Sequence, residues 1–383
     1  MKQNVTNPFV LQPYVREDLF CDRKAELETL ISCIENGRNV SLISMRRLGK
    51  TGLIYRAFEL MREKKYGYTT VYADIYATSS LEDFIATLSE AVVAQCGESG
   101  IKRFFSALGG IRPLLSYDPI TGTPQVSITY RTESEKYTTL KSVFDYLEGL
   151  GRKVVVAIDE FQQIREYEGV KMEALLRSYI QNLQNVRFIF CGSKKHLMVD
   201  MFVGERSPFY QSATNIPLSK LDKEVYSGFI MEKFSLYGKT ITRDIVDYVI
   251  DWSRCHTFYT QTLCNTIFML SGKDVLFDDV YASINAIFES EKDRFFTIRN
   301  MLTPGQWRYL AAVAKEGSVC HPTASQFLLK YKIGTPASSN RYLASLLEKE
   351  LLLEESSQDG KEYFVYNVFL SRWLETFGRQ LCR

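Results

Sequence analysis

The sequence predicts an α/β protein in which a parallel β-sheet with flanking helices precedes a helical segment and a small C-terminal unit of helices and a hairpin. Short, continuously apolar runs recur before residue 220, and such runs are typical of parallel strands covered on both faces. Between Asp222 and about Asn300, the spacing of apolar residues is helical throughout. Beyond Leu302, three helical patterns precede two strand-like runs. These observations define the fold class.

The sheet is expected to contain five strands. The corresponding runs are Val40–Met45, Tyr68–Ile75, Lys153–Glu160, Arg187–Ser193 and Ala213–Leu218. Before the first run, Asp22 is expected to cap a helix that ends near Glu35, because an aspartate side chain accepts hydrogen bonds from the first helical turn. Between the second and third runs, Arg112–Arg131 is predicted to form a β-hairpin excursion from the sheet.

The first apolar run leads directly into Gly49-Lys50-Thr51, after which helical spacing begins. Strand, loop and helix in this order are the context of a phosphate-binding loop. Backbone N–H groups and the helix N-terminus bind an anion there, Lys50 contacts the β- and γ-phosphates, and the Thr51 hydroxyl ligates Mg²⁺. We expect the Lys50 side chain to be an exposed ligand. Ser44 replaces the first glycine of the motif, and a serine adopts the backbone conformation of that glycine only with strain.

The third apolar run ends in two carboxylates, Asp159 and Glu160. Carboxylates at the C-terminal end of a parallel strand lie at the rim where α/β sheets bind ligands. We therefore expect Asp159 to hold Mg²⁺ and Glu160 to polarise the attacking water. The alternative is a charged strand end without a function. Ser193 ends the fourth run, where it either lies beside the γ-phosphate or is an ordinary turn residue.

The last part of the chain is predicted to be a winged helix-turn-helix. Helices are expected from Pro304, Thr323 and Pro336, followed by strands at Leu351–Glu355 and Glu362–Val368 around a Ser-Ser-Gln-Asp-Gly turn. Residues 302–383 contain 10 Lys and Arg against 8 Asp and Glu, and the predicted recognition helix offers only Arg341. DNA binding requires several phosphate contacts, so a protein partner is favoured over DNA, which stays open.

Composition excludes several classes of protein. The 383 residues are 45% hydrophobic and 24% charged, as in ordinary globular proteins, and suggest two or three domains. The net charge of +2 gives no general attraction for nucleic acid or an anionic membrane. No apolar stretch is long enough to cross a bilayer, and the N-terminus lacks the apolar core of a signal peptide. Eight cysteines without a Cys-x-x-Cys pair are expected to be reduced, in a cytoplasmic protein.

Taken together, these motifs resemble the archaeal-type ATPases of the STAND group, which are relatives of the AAA+ proteins that include origin-recognition initiators. The resemblance is carried by Phe20-x-x-Arg23-x-x-Glu26-Leu27, Arg46-Arg47-x-Gly49-Lys50-Thr51, Asp159-Glu160, Gly192-Ser193, Arg206-Ser-Pro-Phe209-Tyr210, His256-Thr257-Phe258-Tyr259-x-Gln261 and the terminal Phe369-Leu-Ser-Arg-Trp373-Leu. It implies that the acidic strand does not lie directly beside the phosphate-loop strand. It also implies an ATPase domain at residues 1–220, a helical lid at 221–300 and a winged helix at 301–383.

The resemblance further implies a set of nucleotide-binding residues beyond Lys50 and Thr51. They are Arg23, Arg46, Arg47, Leu48, Gly49, Gly52 and, from the lid, His256. Three of these assignments have alternatives. Arg46 and Arg47 are otherwise expected to hold the loop from behind or pair with acidic neighbours, and His256 to be a helix-cap histidine. Arg206 is either a finger that completes a neighbouring copy's site or a solvated loop residue.

The predicted function is an ATP-dependent molecular switch that binds ATP and Mg²⁺, hydrolyses ATP slowly through Glu160 and acts on a protein partner. Thr257 stands where the commoner family form has proline, which bears on the lid contact of His256. Two alternatives stay open. One is a DNA-associated AAA+ ATPase, an initiator or transposition helper; the other is a scaffold that holds nucleotide without hydrolysis because Ser44 distorts the loop. Assembly into a homo-oligomer is also left open.

Overall fold

The computed structural model describes residues 7–11, 17–63, 67–109, 113–357 and 360–377. The chain divides into two compact units. The first unit is residues 12–221, and the second is residues 222–383 together with residues 1–11. No helix in the described ranges is both long and apolar enough to cross a membrane.

The first unit contains the sheet and its flanking helices. Its strands are β1 (Val40–Ile43), β2 (Thr69–Asp74), β3 (Leu114–Tyr117), β4 (Pro124–Ser127), β5 (Val154–Asp159), β6 (Val186–Gly192) and β7 (Thr214–Pro217). Its helices are α1 (Lys24–Glu35), α2 (Lys50–Glu63), α3 (Leu81–Val93), α4 (Glu98–Ala107), α5 (Glu133–Glu148), α6 (Met172–Ile180) and α7 (Lys195–Val203). Short 3₁₀ turns lie at Glu17–Leu19 and Phe161–Glu166.

Five of these strands form one parallel sheet in the order β2-β5-β6-β1-β7. The acidic strand β5 and the phosphate-loop strand β1 therefore both pair with β6 and not with each other, which confirms the predicted order. Because the strands are parallel, their C-terminal ends lie at one edge of the sheet. Ile43 pairs with Gly192 there, and Asp74 with Asp159.

The apolar runs are continuous because both faces of the sheet are covered. Along β5, Val154, Val156 and Ile158 belong to one buried cluster, which contains residues of α3, α5 and α6. The intervening Val155 and Ala157 belong to another cluster, which contains residues of α1 and α2. All six residues of β5 are buried. Burial of each valine or isoleucine side chain of β5 contributes roughly 1.5–3 kcal/mol to folding.

Two expectations about connecting segments have different outcomes. The predicted hairpin is confirmed, since β3 and β4 pair antiparallel, although its first residue Arg112 lies outside the described residues. The predicted cap at Asp22 is wrong. Arg23 occupies the N-cap of α1, in a left-handed conformation (φ 64°), and its side chain makes no capping hydrogen bond. The backbone turns at both Asp22 and Arg23, so the helix starts later than the cap preference of aspartate predicts.

The second unit contains the helical segment and the winged helix. Its elements are α8 (Lys223–Leu236), α9 (Arg243–Trp252), α10 (Thr257–Leu270), α11 (Phe277–Asn300), α12 (Pro304–Glu316), α13 (Ser325–Tyr331), α14 (Pro336–Glu348), β8 (Leu352–Ser357), β9 (Gly360–Val365) and α15 (Val368–Phe377). Three helices followed by the antiparallel pair β8–β9 confirm the winged helix. The turn residues Gln358 and Asp359 lie outside the described residues.

Local sequence explains where the winged helix begins. Thr303 and Gln306 form a reciprocal capping box at the start of α12, with Pro304 in its first turn. At α14, Thr335 accepts a hydrogen bond from the Ser338 N–H, and proline again follows the cap. α15 extends the unit beyond the predicted hairpin and buries Phe369 and Trp373.

Candidate nucleotide-binding site

The phosphate loop connects the buried strand β1 to α2 as predicted. The first helical hydrogen bond runs from the Leu53 N–H to the Gly49 carbonyl (3.0 Å). The N–H groups of Lys50, Thr51 and Gly52 therefore lie at the open end of the helix, where an anion is stabilised. This geometry fits the phosphates of a nucleotide.

Lys50 is buried, with a relative exposure of 6%, so the expectation of an exposed side chain is wrong. Its Nζ lies 3.2 Å from the Met45 carbonyl oxygen and 3.4 Å from that of Ser44. Burial lowers the pKa of Lys50, while the nearby charges of Asp159 and Glu160 oppose that shift. The ammonium group thus lies under the loop, beside the carboxylates at the end of β5.

The strain expected at Ser44 is not found, because Ser44 does not adopt a positive φ. Its hydroxyl donates to the Met45 carbonyl (3.0 Å). Positive φ values in the loop fall on Arg47 (64°) and Gly49 (96°). The non-glycine residue in the left-handed conformation is therefore Arg47, which is exposed, whereas Ser44 is buried. The reason for expecting a distorted loop is therefore absent.

Asp159 accepts hydrogen bonds on both carboxylate oxygens. Its Oδ2 accepts from the Tyr72 hydroxyl (2.6 Å) and lies 3.5 Å from Thr51 Oγ1, while Oδ1 accepts from the Glu160 N–H (2.9 Å). Burial and the adjacent carboxylate raise the pKa of Tyr72, so the phenol stays protonated and is the donor. Thr51 and Asp159 together offer the hard oxygen ligands that Mg²⁺ takes, so the residues fit this ion.

Glu160 is held by protein groups on a single oxygen. Its Oε2 accepts from the Ser193 hydroxyl (2.6 Å), the Gln162 amide (2.6 Å) and the Ser193 N–H (3.3 Å). Its backbone is left-handed, with φ 53°. Burial alone would raise the pKa of Glu160, but the hydrogen bonds from Ser193 and Gln162 and the charges of Lys50 and Arg46 lower it below its ordinary value.

Gly192 allows this arrangement because it has no side chain. A Cβ atom at Gly192 would lie 2.3 Å from the Gln162 amide oxygen and 2.4 Å from the Met198 sulfur. The glycine thus leaves room for Gln162 to reach Glu160. In the Gly-Ser pair at the end of β6, Gly192 therefore leaves space for Gln162, and Ser193 donates hydrogen bonds to Glu160.

Two of the three predicted arginine ligands, Arg23 and Arg46, lie in different surroundings. Arg46 donates from Nε to the Ser193 hydroxyl (3.1 Å), and its guanidinium carbon lies 5.5 Å from the centroid of the Tyr76 ring. Buried Arg23 donates to the Leu48 carbonyl (3.4 Å) and the Ser219 carbonyl (2.5 Å). Arg23 thus holds the phosphate loop against the segment after β7. A direct contact of either arginine with nucleotide stays a prediction.

Two other predicted residues, Arg206 and His256, make none of the site contacts described above. Arg206 is exposed in the loop between α7 and β7. His256 belongs to the second unit, where it occupies the N-cap position of α10 and its buried ring lies 4.8 Å from that of Tyr259. His256 thus takes the cap position of the alternative interpretation, although its side chain makes no capping hydrogen bond. Contact with a phosphate stays a prediction.

Tyr72 and Gln162 were not identified from the sequence. A tyrosine near the end of an apolar strand next to the acidic strand is a weak signal, because the sequence does not reveal which strands are neighbours. Gln162 follows Glu160 by two residues, yet its role depends on the missing side chain of Gly192.

Fold and site together define a P-loop ATPase of the AAA+-related type. A family model described as an ATPase domain predominantly from Archaea matches residues 20–252, and the chain belongs to that family. A second model, for a probable winged helix domain, matches residues 293–376.

Solved structures share this fold over nearly the whole chain. A Walker-type ATPase of Pyrococcus abyssi has a TM-score of 0.65 at 18% identity, covering 96% of this chain and 99% of that chain. The ORC2 protein of Aeropyrum pernix, solved as ADPNP–ADP complexes, has a TM-score of 0.61 at 13% identity, covering 98% and 97%. The ORC1 protein of the same organism, in complex with DNA, has a TM-score of 0.54 at 13% identity, covering 98% of each chain. No curated protein matches the chain.

Proposed function

We propose that this ATPase is a slow molecular switch, in which ATP and Mg²⁺ bind at the phosphate loop and the nucleotide state is passed to the winged helix. The observation that carries the proposal is the arrangement around Glu160. Three protein donors converge on one oxygen of the residue assigned as general base.

Each role in the site follows from its position. Lys50 and the N-terminus of α2 bind the β- and γ-phosphates, and Thr51 and Asp159 hold Mg²⁺. The ion, when bound, neutralises charge that develops on the phosphates. Glu160 accepts a proton from the attacking water, and Ser193 lies at the end of β6 to contact the γ-phosphate.

The contacts of Glu160 support slow hydrolysis. A carboxylate that already accepts three hydrogen bonds is a weaker base than a free one, and its lowered pKa points the same way. Ser193 has to exchange its bond to Glu160 for one to a phosphate oxygen before the base becomes available. Arg46 donates to the same hydroxyl, so the phosphate loop takes part in that exchange.

Contacts within the second unit support the transfer of the signal to the winged helix. The ring of Tyr259 lies 4.8 Å from that of His256 and 4.8 Å from that of Phe369 on α15. His256, which we propose as the phosphate contact, is packed through one aromatic residue against the last helix of the winged helix. A ligand drives such a change only as far as it binds one state better.

Small-angle scattering of the full chain, with and without a non-hydrolysable ATP analogue and Mg²⁺, tests the switch. We expect the analogue to make the wild type more compact and His256→Ala less so, because one phosphate contact is lost. Equal compaction in both proteins would remove His256 from the mechanism. No compaction in either would remove the switch and leave a nucleotide-holding scaffold, which phosphate release then tests directly.

DNA binding is a second candidate, favoured by the winged helix and by a structural neighbour solved in complex with DNA. Asn340 and Arg341 on α14 are exposed and would face a duplex in a helix-turn-helix arrangement. Anisotropy of a labelled duplex at about 50 and 200 mM salt tests it, since phosphate contacts make affinity fall steeply with salt. Binding of the duplex that is lost in Arg341→Ala would favour the DNA-binding function. No binding of the duplex at low salt would favour a protein partner.

A further inference from the structure

Tyr72 lies beside the carboxylate assigned to the metal. Strands β2 and β5 are parallel neighbours, and Tyr72 pairs in register with Ala157, two residues before Asp159. Side chains alternate along a strand, so Tyr72 and Asp159 project from the same face of the sheet. The hydroxyl reaches Asp159 Oδ2 at 2.6 Å.

The environment holds the Tyr72 ring in this position. The ring is partly buried and packs against the apolar cluster formed with α1 and α2. Its centroid lies 5.1 Å from that of Tyr55, a residue of α2. These contacts restrict the Tyr72 side chain and keep its hydroxyl beside the carboxylate.

The oxygen that accepts this hydrogen bond is the one that lies 3.5 Å from Thr51 Oγ1. The other oxygen, Oδ1, is occupied by the Glu160 N–H. We propose that Tyr72 is a positioning residue of the magnesium site, whose hydroxyl sets the orientation of the Asp159 carboxylate so that Oδ2 faces Thr51. This inference rests on the proposed roles of Asp159 and Thr51.

The chemistry suits this role. A phenol is a neutral donor, so it orients the carboxylate without cancelling the negative charge that attracts the cation. The torsion of an aspartate carboxylate is broad, and a hydrogen bond from a rigid partner restricts it. Outer partners of metal ligands typically contribute 10–100-fold to metal affinity.

The test measures the binding of a fluorescent, non-hydrolysable ATP analogue to the full chain, once with Mg²⁺ and once with EDTA. The ratio of the two dissociation constants is the contribution of magnesium. In Tyr72→Phe we expect this ratio to fall by about 10-fold or more, with affinity in EDTA unchanged. Tyr55→Phe is the matched control, since it removes the hydroxyl of the neighbouring ring, and it should keep the wild-type ratio.

The outcomes separate this inference from the proposed function. A wild-type ratio in Tyr72→Phe would overturn the positioning role while leaving nucleotide binding intact. A wild type that binds no analogue, or gains nothing from Mg²⁺, would overturn the proposed site itself. Because the ratio is taken within one variant, a smaller folded fraction changes both affinities alike and does not imitate the expected result.

Discussion

The nucleotide site and the turn before His256 both contain non-glycine residues in the left-handed conformation, but their side chains are held in different ways. In the nucleotide site they include Arg47 (φ 64°) and Glu160 (φ 53°), and in the turn before His256 they are Arg254 (φ 56°) and Cys255 (φ 52°). Such backbone persists only where the surroundings determine it. In the nucleotide site the surrounding donors converge on groups proposed to act on a ligand.

The turn before His256 is held by a network of hydrogen bonds and ion pairs between protein side chains and backbone. Arg254 donates to the Ser371 hydroxyl (2.9 Å) and to Glu375 Oε1 (3.2 Å), both on α15. Arg372 donates to Glu375 Oε2 (2.8 Å) and to the Trp252 carbonyl (2.9 Å). Burial, followed by the charge of Arg372, lowers the pKa of Arg254. The comparison teaches that similar backbone can be stabilised for binding in one place and for structure in another.

The largest expected effect is that of Lys50→Ala, which should reduce ATP binding below detection in calorimetric titration. The ammonium group is the one positive charge of the Gly-Lys-Thr motif, and charge-assisted contacts with phosphate are strong. The fold should persist, because removing a buried charge relieves its desolvation. An unchanged thermal unfolding temperature together with lost ATP binding would show that Lys50 serves binding and not structure. Wild-type affinity for ATP would contradict the assignment of Lys50 to the nucleotide site.

Glu160→Gln should separate chemistry from binding. The amide keeps the size of the side chain but removes the base, so steady-state phosphate release should fall by roughly 10²–10⁴-fold. ATP should still bind with an affinity close to that of the wild type. If the variant hydrolyses ATP at the native rate, another residue activates the water.

Glu375→Ala should act on stability alone. It leaves Arg254 and Arg372 without their shared carboxylate, and we expect a loss of about 2 kcal/mol in the free energy of unfolding of the second unit, measured with denaturant. This is below the roughly 3–5 kcal/mol of a fully buried pair, because the side chains keep 20–25% exposure. Glu354→Ala is the control, since its pair with Lys361 is more exposed (33% and 64%) and should matter little.

ADP affinity serves as the second measurement on Glu375→Ala. It should be close to that of the wild type, because the phosphate ligands proposed in the first unit do not depend on this network. His256 follows the turn that the network holds, but its proposed phosphate contact belongs to the ATP-bound state. A large loss of ADP binding would contradict the view that this turn is stabilised for structure and the nucleotide site for binding.

The smallest effect is expected from Gln162→Leu, which removes one donor from Glu160. The pKa of Glu160 is lowered in part by this hydrogen bond, so its loss should raise that pKa. The base is active when deprotonated, so the acidic limb of the pH–kcat profile should move to higher pH. Turnover on the plateau should rise a few-fold, on the order expected of a stronger base.

Gln163→Leu is the matched control for this change. The Gln163 side-chain amide donates to the Thr78 carbonyl (3.1 Å) and not to the Glu160 carboxylate. Its backbone N–H donates to the Glu160 carbonyl, and the substitution keeps that bond, so the profile should not shift. A fall in turnover without a shift in Gln162→Leu would show that the amide supports the base instead of restraining it.

Much of the molecule could be predicted from sequence. Strands buried on both faces have continuous apolar sequences. The phosphate loop follows one such strand and Asp159 and Glu160 end another, and each of these motifs consists of residues that are adjacent in the chain. The winged helix was predictable from its helix-starting signals and hairpin. These features depend on residues close together in the chain, for which local preference and burial agree.

The tertiary structure alone decided the partners of those residues. Tyr72 and Asp159 are 87 positions apart, and the register of β2 on β5 brings them together. Arg23 and Ser219 are 196 positions apart and meet behind the loop. Asp22 and Ser44 departed from expectation because the conformation of a connecting loop is set by what both of its ends pack against. Local sequence therefore specifies which groups perform the chemistry, while long-range packing specifies which groups hold them in place.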